Sequence, residues 1–255
     1  MDSTRQPMIT AVALTGIPEV QPGDDLAELI TASLPGPVLA GDVLVVAHKV
    51  VSKAEGRIRS LKEVEPGTDA LELASKLDKD PRQVQVVLDG SRRVLRAERG
   101  VLIVETSHGF VCANAGVDAS NTGDPDTVVM LPADPDASAR ALRRRVAEIT
   151  GVSPAVVITD SFGRAWRHGQ ADVAIGCAGI EPLEDWRGRL DAGGRELHAT
   201  WIAIADELAA AADLARAKDS SEPVVLVRGA ERHVSRDDGP GVAALIRPEA
   251  EDLFR

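Results

Sequence analysis

Two runs of aliphatic and β-branched residues, each leading into an aspartate, constrain the fold of this chain more than any other feature. One run begins at Phe110 and reaches Asp118, and the other begins at Ala155 and reaches Asp160. Such runs are typical of buried strands, so we expect both aspartates where strands end, the usual place for ligands in α/β folds. The two carboxylates indicate either a shared cation site or, more simply, two side chains that cap turns or helices.

The composition fits a folded protein with an aliphatic core. The chain has 255 residues, of which 44% are hydrophobic and only 2% aromatic, with no Tyr. Scarce aromatic side chains and a formal net charge of −11 argue against nucleic acid or an anionic membrane as a partner. No stretch approaches ~18 apolar residues, so we expect no membrane span. Cys112 and Cys177 belong to no zinc-binding pattern, and we expect two buried, reduced thiols in a cytoplasmic protein.

Alternating strand and helix patterns predict a mixed α/β fold. We expect strands at residues 9–14, 43–47, 94–95, 101–105 and 224–227, and helices at residues 70–77, 81–88 and 199–218. A further helix should begin at Asp134 and end at Gly151. One face of that helix carries the side chains expected in solvent, Arg140, Arg143, Arg144 and Arg145. The connection 121–136, rich in Gly, Pro and Asp, is a candidate hinge between two lobes.

Two basic segments follow predicted strands and could bind acidic groups. Lys49 and Lys53 would share one face of a helix, where a lysine offers a point charge to a phosphate. Arg164 and Arg167 could clamp a substrate carboxylate or phosphate. The alternatives are a surface lysine pair, and arginines that pair with surface acids while Trp166 packs. Because neither a P-loop nor a dinucleotide fingerprint is present, any nucleotide must be held in another way.

Several segments together resemble the coenzyme F-420-0:L-glutamate ligase family, the γ-glutamyl ligases. These segments are GDVLVVA at 41–47, VSKAEG at 51–56, HGFVCANAGVDASN at 108–121, LPADPD at 131–136, TDSFGR at 159–164, ADEL at 205–208 and VRG at 227–229. They occur in the family's order, and the resemblance covers about residues 9–229. The family's glycine-rich nucleotide loop reads AKDSSE at 217–222 and lacks glycine, so no contacts are carried over there.

The resemblance implies a GTP-dependent enzyme that adds L-glutamate to coenzyme F-420-0, first at its lactyl carboxylate and then through γ-linkages. It implies an acyl-phosphate intermediate, a divalent Mn²⁺ or Mg²⁺ ion, and K⁺ as an activator. Matched residue by residue, the metal positions are Asp118, Asp160 and Ser161. The matched GTP-contact positions are Ile17, Pro18, Glu19, Val20, His48, Lys53 and Asn121. Position 48 varies in the family.

The resemblance also implies a two-lobed α+β fold and an intertwined homodimer. We expect residues 1–247 to form the ligase domain, with the segments after strands 43–47 and 155–159 in different lobes. Residues 248–255 would be a tail, or the start of a linker to the reductase-like C-terminal domain of actinobacterial relatives. Two other functions stay open, a metal-dependent phosphohydrolase and a non-catalytic nucleotide-binding domain.

Overall fold

The computed structural model describes residues 8–120, 124–217 and 219–253. In chain order the strands are β1 (Thr10–Ala13), β2 (Val43–Ala47), β3 (Ile58–Ser60), β4 (Ser91–Glu98), β5 (Val101–Thr106), β6 (Val111–Ala113), β7 (Thr127–Val129), β8 (Ala155–Arg164), β9 (Arg167–Ala178), β10 (Glu184–Asp185), β11 (Trp201–Ile202) and β12 (Val224–Arg228). The α-helices are α1 (Leu26–Ala32), α2 (His48–Ala54), α3 (Thr68–Leu77), α4 (Pro81–Asp89), α5 (Pro135–Thr150) and α6 (Ile204–Asp213). The predicted mixed α/β class is confirmed.

A five-stranded sheet in the order β1-β12-β2-β8-β9 carries the main core. Strands β2 and β8 run parallel, and the other neighbouring pairs are antiparallel. Aliphatic side chains of β2, β8 and β12 are buried, and helices α1, α5 and α6 contribute to the same core. Because these strands are buried, their sequences are continuous apolar runs rather than alternations of apolar and polar residues.

A second, three-stranded antiparallel sheet, β4-β5-β6, packs against α3 and α4 around a smaller apolar cluster. The hairpin of β4 and β5 turns at Arg99 and Gly100, between the two strands that the sequence predicts at 94–95 and 101–105. Strand β6 contacts β8 of the central sheet as well as β5. This contact brings the segment that follows β6 to the central sheet. Strand β7, inside the candidate hinge 121–136, pairs with β3.

Local capping residues determine the ends of two helices, and those of α5 agree with the sequence prediction. Asp25 caps α1 by accepting hydrogen bonds from the amides of Ala27 and Glu28. Asp134 caps α5, and Gly151 ends it in the left-handed conformation at φ 74°. The helix predicted over residues 199–218 is wrong in extent, because Trp201–Ile202 pair with Glu184–Asp185 and, of residues 199–217, only 204–213 are α-helical.

The predicted solvated arginine face of α5 is wrong at Arg143. Its side chain is only 7% exposed, because residues 235–238 cover it. The guanidinium donates to the carbonyls of Pro154 and Ser235 and pairs with Asp238 at 2.7 Å. The helical periodicity of the sequence cannot reveal that Arg143 is buried, since the segment that covers it lies about ninety residues further along the chain.

The expectation that both aspartates end strands is corrected. Strand β8 continues past Asp160 to Arg164, because β9 pairs with it from Val156 to Arg164. Strand β6 ends at Ala113, and a 3-10 turn intervenes before Asp118. The expectation of different lobes for the segments after β2 and β8 is also wrong, since the two strands are neighbours in one sheet.

Two further expectations concern the cysteines and the membrane. Cys112 and Cys177 are both buried and unbridged, as predicted. Within the described part of the chain, no helix has the length and apolar character needed to cross a bilayer.

Candidate active site

Helix α2 lies at the centre of the candidate site because of how the sheet places it. The last residue of β2, Ala47, pairs with Thr159 of the parallel strand β8. The chain turns into α2 at the next residue, so His48 lies beside Asp160. The His48 ring is buried, and its Nε2 atom is 3.4 Å from Asp160 Oδ1. That contact has ion-pair distance without hydrogen-bond geometry, and Nε2 has no hydrogen-bond partner in the described residues.

A bulge in the β8–β9 pair lies next to this point. Ile158 pairs with Gly176 and Thr159 pairs with Ala174, which leaves Ile175 as the extra residue. The amide of Ala174 donates to Asp206 Oδ1 of α6 at 2.9 Å. Burial raises the pKa of the Asp206 carboxyl, and the Ala174 amide opposes the shift. Bulges change the direction of side chains near functional sites, and this one precedes Asp160 and Ser161.

Lys49, the second residue of α2, holds the segment that contains Asp118. Its ammonium is 2.7 Å from Asp118 Oδ2 and donates to Ser120 Oγ at 2.7 Å. The other oxygen of Asp118 accepts from the Ser120 amide at 2.6 Å. Burial raises the pKa of the Asp118 carboxyl, but hydrogen bonds from Lys49 and Ser120 outweigh it and leave the pKa below its ordinary value. The carboxyl is therefore ionised near neutral pH.

Lys53, one turn further along α2, pairs with Glu19 at 2.5 Å. The lysine side chain is 10% exposed, whereas that of Glu19 is 70% exposed. Val20 is buried and Ile17 packs against the main core, so the loop after β1 is anchored on both sides of Glu19. Pro18 is exposed on the same loop. The segment matched to GTP contacts thus lies against the lysine matched to the same role.

A buried carboxylate that the sequence analysis missed, Asp172, lies behind Ser161. Its oxygens accept hydrogen bonds from Ser161 Oγ at 2.6 Å and from Thr159 Oγ1 at 2.9 Å. Arg216, just after α6, forms an ion pair with the same carboxylate. An aspartate at the start of the apolar run of β9 was the available signal, because charge is rarely buried without a partner.

The arginines predicted to bind substrate lie at the exposed tip of the β8–β9 hairpin. Arg164 donates to the carbonyl of His168 at 2.7 Å, and Arg167 is exposed on the facing strand. Trp166 between them is 81% exposed with φ 59°, so the alternative in which it packs is wrong. In the described part of the chain, neither arginine forms a hydrogen bond or an ion pair with helix α2. Asn121, matched to a GTP contact, lies outside the described residues.

The donor set of Asp118, Asp160 and Ser161 suits a hard divalent cation, which prefers carboxylate and hydroxyl oxygens. The Ser161 hydroxyl gives its proton to Asp172, so its oxygen can act as an acceptor on the other side. In residues 8–120, 124–217 and 219–253, no three His, Cys, Asp or Glu side chains form a metal-ligating group. Oxygens of a bound substrate would therefore have to complete the coordination.

The thiol of Cys112 on β6 is also near this site. Burial, and next the negative charge of Asp160, raise its pKa to about 12. The thiol is therefore neutral at physiological pH and does not compete as a soft ligand.

Comparison with known proteins decides the family. Residues 16–229 match the model of the F420-0:γ-glutamyl ligase family. The chain belongs to this family. It is 48% identical over 239 residues to the coenzyme F420:L-glutamate ligase of Methanopyrus kandleri, which covers 93% of this chain and 94% of that protein. The ligase of the same name from Methanothermobacter thermautotrophicus is 44% identical over 251 residues, or 97% of this chain and 99% of that protein.

A third ligase of this name, from Methanocaldococcus jannaschii, is 43% identical over 232 residues, which are 91% of this chain and 90% of that protein. The family predicted from the sequence segments is therefore confirmed. The range 16–229 that matches the γ-glutamyl ligase model contains every residue assigned above to a metal, GTP or substrate position.

Proposed function

We propose that this chain is a GTP-dependent ligase that adds L-glutamate to coenzyme F420-0, first at the lactyl carboxylate and then through γ-linkages. One observation carries the proposal: three side chains of the short helix α2 contact Glu19, Asp118 and Asp160. A single helix thus gathers the residues matched to GTP and to the cation. The family membership and the names of the related enzymes support ligation of L-glutamate to this coenzyme.

In the proposed reaction an acceptor carboxylate oxygen attacks the γ-phosphorus of GTP, and the bond to the β-phosphate oxygen breaks. GDP leaves and an acyl phosphate forms. The amine of glutamate then attacks the acyl carbon, inorganic phosphate leaves, and the amine loses a proton as the amide forms. Such phosphoryl transfer depends mainly on positioning and charge neutralisation, so neither aspartate has to act as a base.

The residues of α2 would supply the fixed positive charge. Lys53 would donate to a phosphate oxygen, exchanging its pair with Glu19, whose exposed carboxylate can return to water at little cost. Asp118, Asp160 and Ser161 would hold Mn²⁺ or Mg²⁺, which neutralises phosphate charge when bound. Buried His48 would keep the Asp160 carboxylate turned towards α2. K⁺ as an activator stays a prediction without an assigned site.

The decisive experiment is mass spectrometry of the deazaflavin after incubation of the full chain with F420-0, GTP, Mn²⁺ and L-glutamate. We expect a ladder of products, each heavier by one glutamyl residue, and one GDP released per glutamate added. Reactions without glutamate and with ATP in place of GTP serve as controls. Phosphate release from GTP without glutamate would instead support a phosphohydrolase. GTP binding without turnover in every mixture would support a non-catalytic nucleotide-binding domain.

We also propose that the chain works as an intertwined homodimer, which the family resemblance supports. Interfaces of obligate dimers bury roughly 2,000–5,000 Å², so folding and association should form one event. The thermal midpoint should then rise with protein concentration. Light scattering that finds a fully active monomer at micromolar concentration would refute the dimer and leave the proposed reaction intact.

A further inference from the structure

A small cavity borders the segment that carries Asp118. It has a volume of about 40 Å³ and lies between the junction of α3 and α4, strand β5, strand β7 and the chain on either side of Asp118. Three of its lining residues are polar, namely Lys79, Gln83 and Asn114. The remaining lining residues are aliphatic, and they are Val84, Val87, Leu102, Val117, Ala119 and Val128.

The cavity is distinct from the candidate active site. Val117 and Ala119 line the cavity. The carboxylate of Asp118, between them, pairs instead with Lys49 of α2. The backbone of Asp118 exchanges two hydrogen bonds with Val129, so this stretch is extended and its side chains alternate between two faces. The cavity and the candidate cation site therefore lie on opposite faces of one segment.

The polar side chains of the cavity have unused hydrogen-bonding capacity. Lys79 is half-buried in the connection between α3 and α4, and its ammonium forms no ion pair with the described residues. The adjacent carboxylate of Asp80 pairs with Arg82 at 2.7 Å instead. Within the described ranges, the half-buried side-chain amides of Gln83 and Asn114 also lack hydrogen-bond partners. A partly desolvated cation beside two amide groups favours an anion.

The backbone at Asn114 has an unusual conformation. Asn114 and Ala115 both have φ 53° and Gly116 has φ 68°, so three consecutive residues are left-handed. For residues other than glycine this conformation persists only where the surrounding structure fixes it, and it is frequent where ligands bind. Ala115 is buried in the apolar cluster of α3, α4 and β5, and a Cβ atom at Gly116 would overlap Leu131. Packing thus fixes the backbone that presents Asn114 to the cavity.

The volume of the cavity limits which anion fits. A cavity holds one water for roughly each 10–15 Å³, so about 40 Å³ admits about three non-hydrogen atoms. A carboxylate group has three such atoms, whereas a phosphate group has five. We propose that the cavity binds the carboxylate group of a small molecule, through the ammonium of Lys79 and the amides of Gln83 and Asn114. The site does not depend on the proposed reaction, because it lies on the other face of the Asp118 segment.

The test is methyl NMR spectroscopy of the full chain, labelled at its Val and Leu methyl groups and titrated with sodium acetate at constant ionic strength. We expect saturable shifts of the methyl signals of Val87, Leu102 and Val117, which line the cavity. Acetamide, the neutral isostere, should shift none of them at the same concentrations. Inorganic phosphate should not shift them either, because it is too large. The signals locate the ligand and need no turnover.

Variants of the three polar residues identify the groups that hold the anion. Lys79→Met keeps the length of the side chain without its charge, and should weaken acetate binding by about 10- to 100-fold, as expected for a lost hydrogen bond between charged groups. Gln83→Leu and Asn114→Gly should each weaken it by about 3- to 10-fold. Glycine adopts φ 53° without strain, so Asn114→Gly removes the amide alone. Lys76→Met is the matched control, because Lys76 is an exposed lysine of α3 outside the cavity lining.

L-Glutamate distinguishes two sources of the carboxylate. Shifts of the same methyl signals with at least about tenfold higher affinity than acetate would support an amino acid as the occupant. Affinity equal to that of acetate would support a small carboxylic acid whose remaining atoms lie outside the cavity. In either case Lys79→Met should weaken both ligands by the same factor.

Several results would overturn the inference. Equal shifts with acetamide or phosphate would show that neither charge nor size selects the ligand. Unchanged affinity in Lys79→Met, or an equal loss in Lys76→Met, would exclude the proposed role of Lys79. Absence of saturable shifts with every probe would mean that the cavity holds only water. Thermal midpoints are measured for all variants, and if Lys79→Met does not fold, Gln83→Leu and Asn114→Gly decide the outcome. A negative result leaves the proposed ligase reaction intact.

Discussion

The base and the tip of the β8–β9 hairpin use the same two strands in opposite ways. At the base, Asp172 is buried and its charge is matched by Arg216 and two hydroxyls. At the tip, Trp166 is 81% exposed, and in the described residues Arg164 donates only to the backbone carbonyls of His168 and Gly169 on its own hairpin. Strand pairing alone therefore does not determine whether a polar side chain is held in place.

The difference comes from what covers each half. Burial makes an unpaired charge costly, so the base can persist only with its partners fixed in position. The tip is exposed to water, where a movement of its arginines costs little free energy. A rigid base suits the binding of a cation in one geometry, and a solvated tip suits adjustment to an acidic substrate. The predictions below test that division of roles.

The largest effect is expected at the base. Asp160→Asn and Asp118→Asn each remove a charged oxygen ligand, and either should abolish ligation and weaken Mn²⁺ binding by more than about 100-fold, beyond the usual loss for residues that only orient a ligand. Circular dichroism should show an intact fold. Asp89→Asn is the matched control, because Asp89 is a carboxylate on α4 paired with Arg59. Unchanged Mn²⁺ affinity in both site variants would end the cation assignment.

The next largest effect is expected on the binding of the GTP phosphates. Lys53→Ala should raise the apparent requirement for GTP, because a phosphate would lose a charge-assisted hydrogen bond worth about 1.5–3 kcal/mol. Lys49→Ala should raise it less, since the family resemblance places only position 53 at the phosphate and Lys49 pairs with Asp118 and Ser120. Initial rates at varied GTP concentration give both values. Equal effects of the two substitutions would mean that the register of α2 against the nucleotide is misassigned.

A smaller effect concerns stability and pH. The folded-state pKa of Asp118 lies below the ordinary value of 3.8, so the carboxylate contributes stability above that pH and loses it as pH falls through the folded pKa. Lys49→Ala should lower the free energy of unfolding at pH 7 by about 1 kcal/mol or less, because the pair is partly exposed. Urea denaturation should show this difference shrinking below about pH 3.8. A difference that is independent of pH would contradict the assignment.

Local signals explain what the sequence could predict of the fold. The ends of α5 were predictable because Asp134 and Gly151 act within a turn of the chain. Strand β2 was predictable because its five residues are all apolar. The extension of β8 was not, since Asp160 and Ser161 interrupt the apolar pattern and only pairing with β9 continues the strand.

In the candidate site, too, some residues could be predicted from the sequence and others depend on contacts made only in the folded chain. The family resemblance predicted site roles for Asp118, Asp160, Ser161 and Lys53, and these residues lie on α2, in contact with it, or on β8 beside it. Asp172 was missed because its partner Arg216 is 44 positions away and the two charges meet only in the folded chain. The contacts between such distant residues depend on tertiary packing, which no local pattern reports.

The smallest effect on stability is expected at the tip, and it tests the division of roles most directly. Arg164→Ala and Arg167→Ala should change the free energy of unfolding by less than about 0.5 kcal/mol, as is usual for exposed side chains. Mn²⁺ affinity should not change, because neither arginine contacts α2 or Asp172 in the described residues. If the tip clamps an acidic substrate, the KM for coenzyme F420-0 rises in both variants, whereas Arg96→Ala, an exposed arginine on β4, leaves it unchanged. A loss of Mn²⁺ affinity comparable to that of Asp160→Asn would show that base and tip work as one unit.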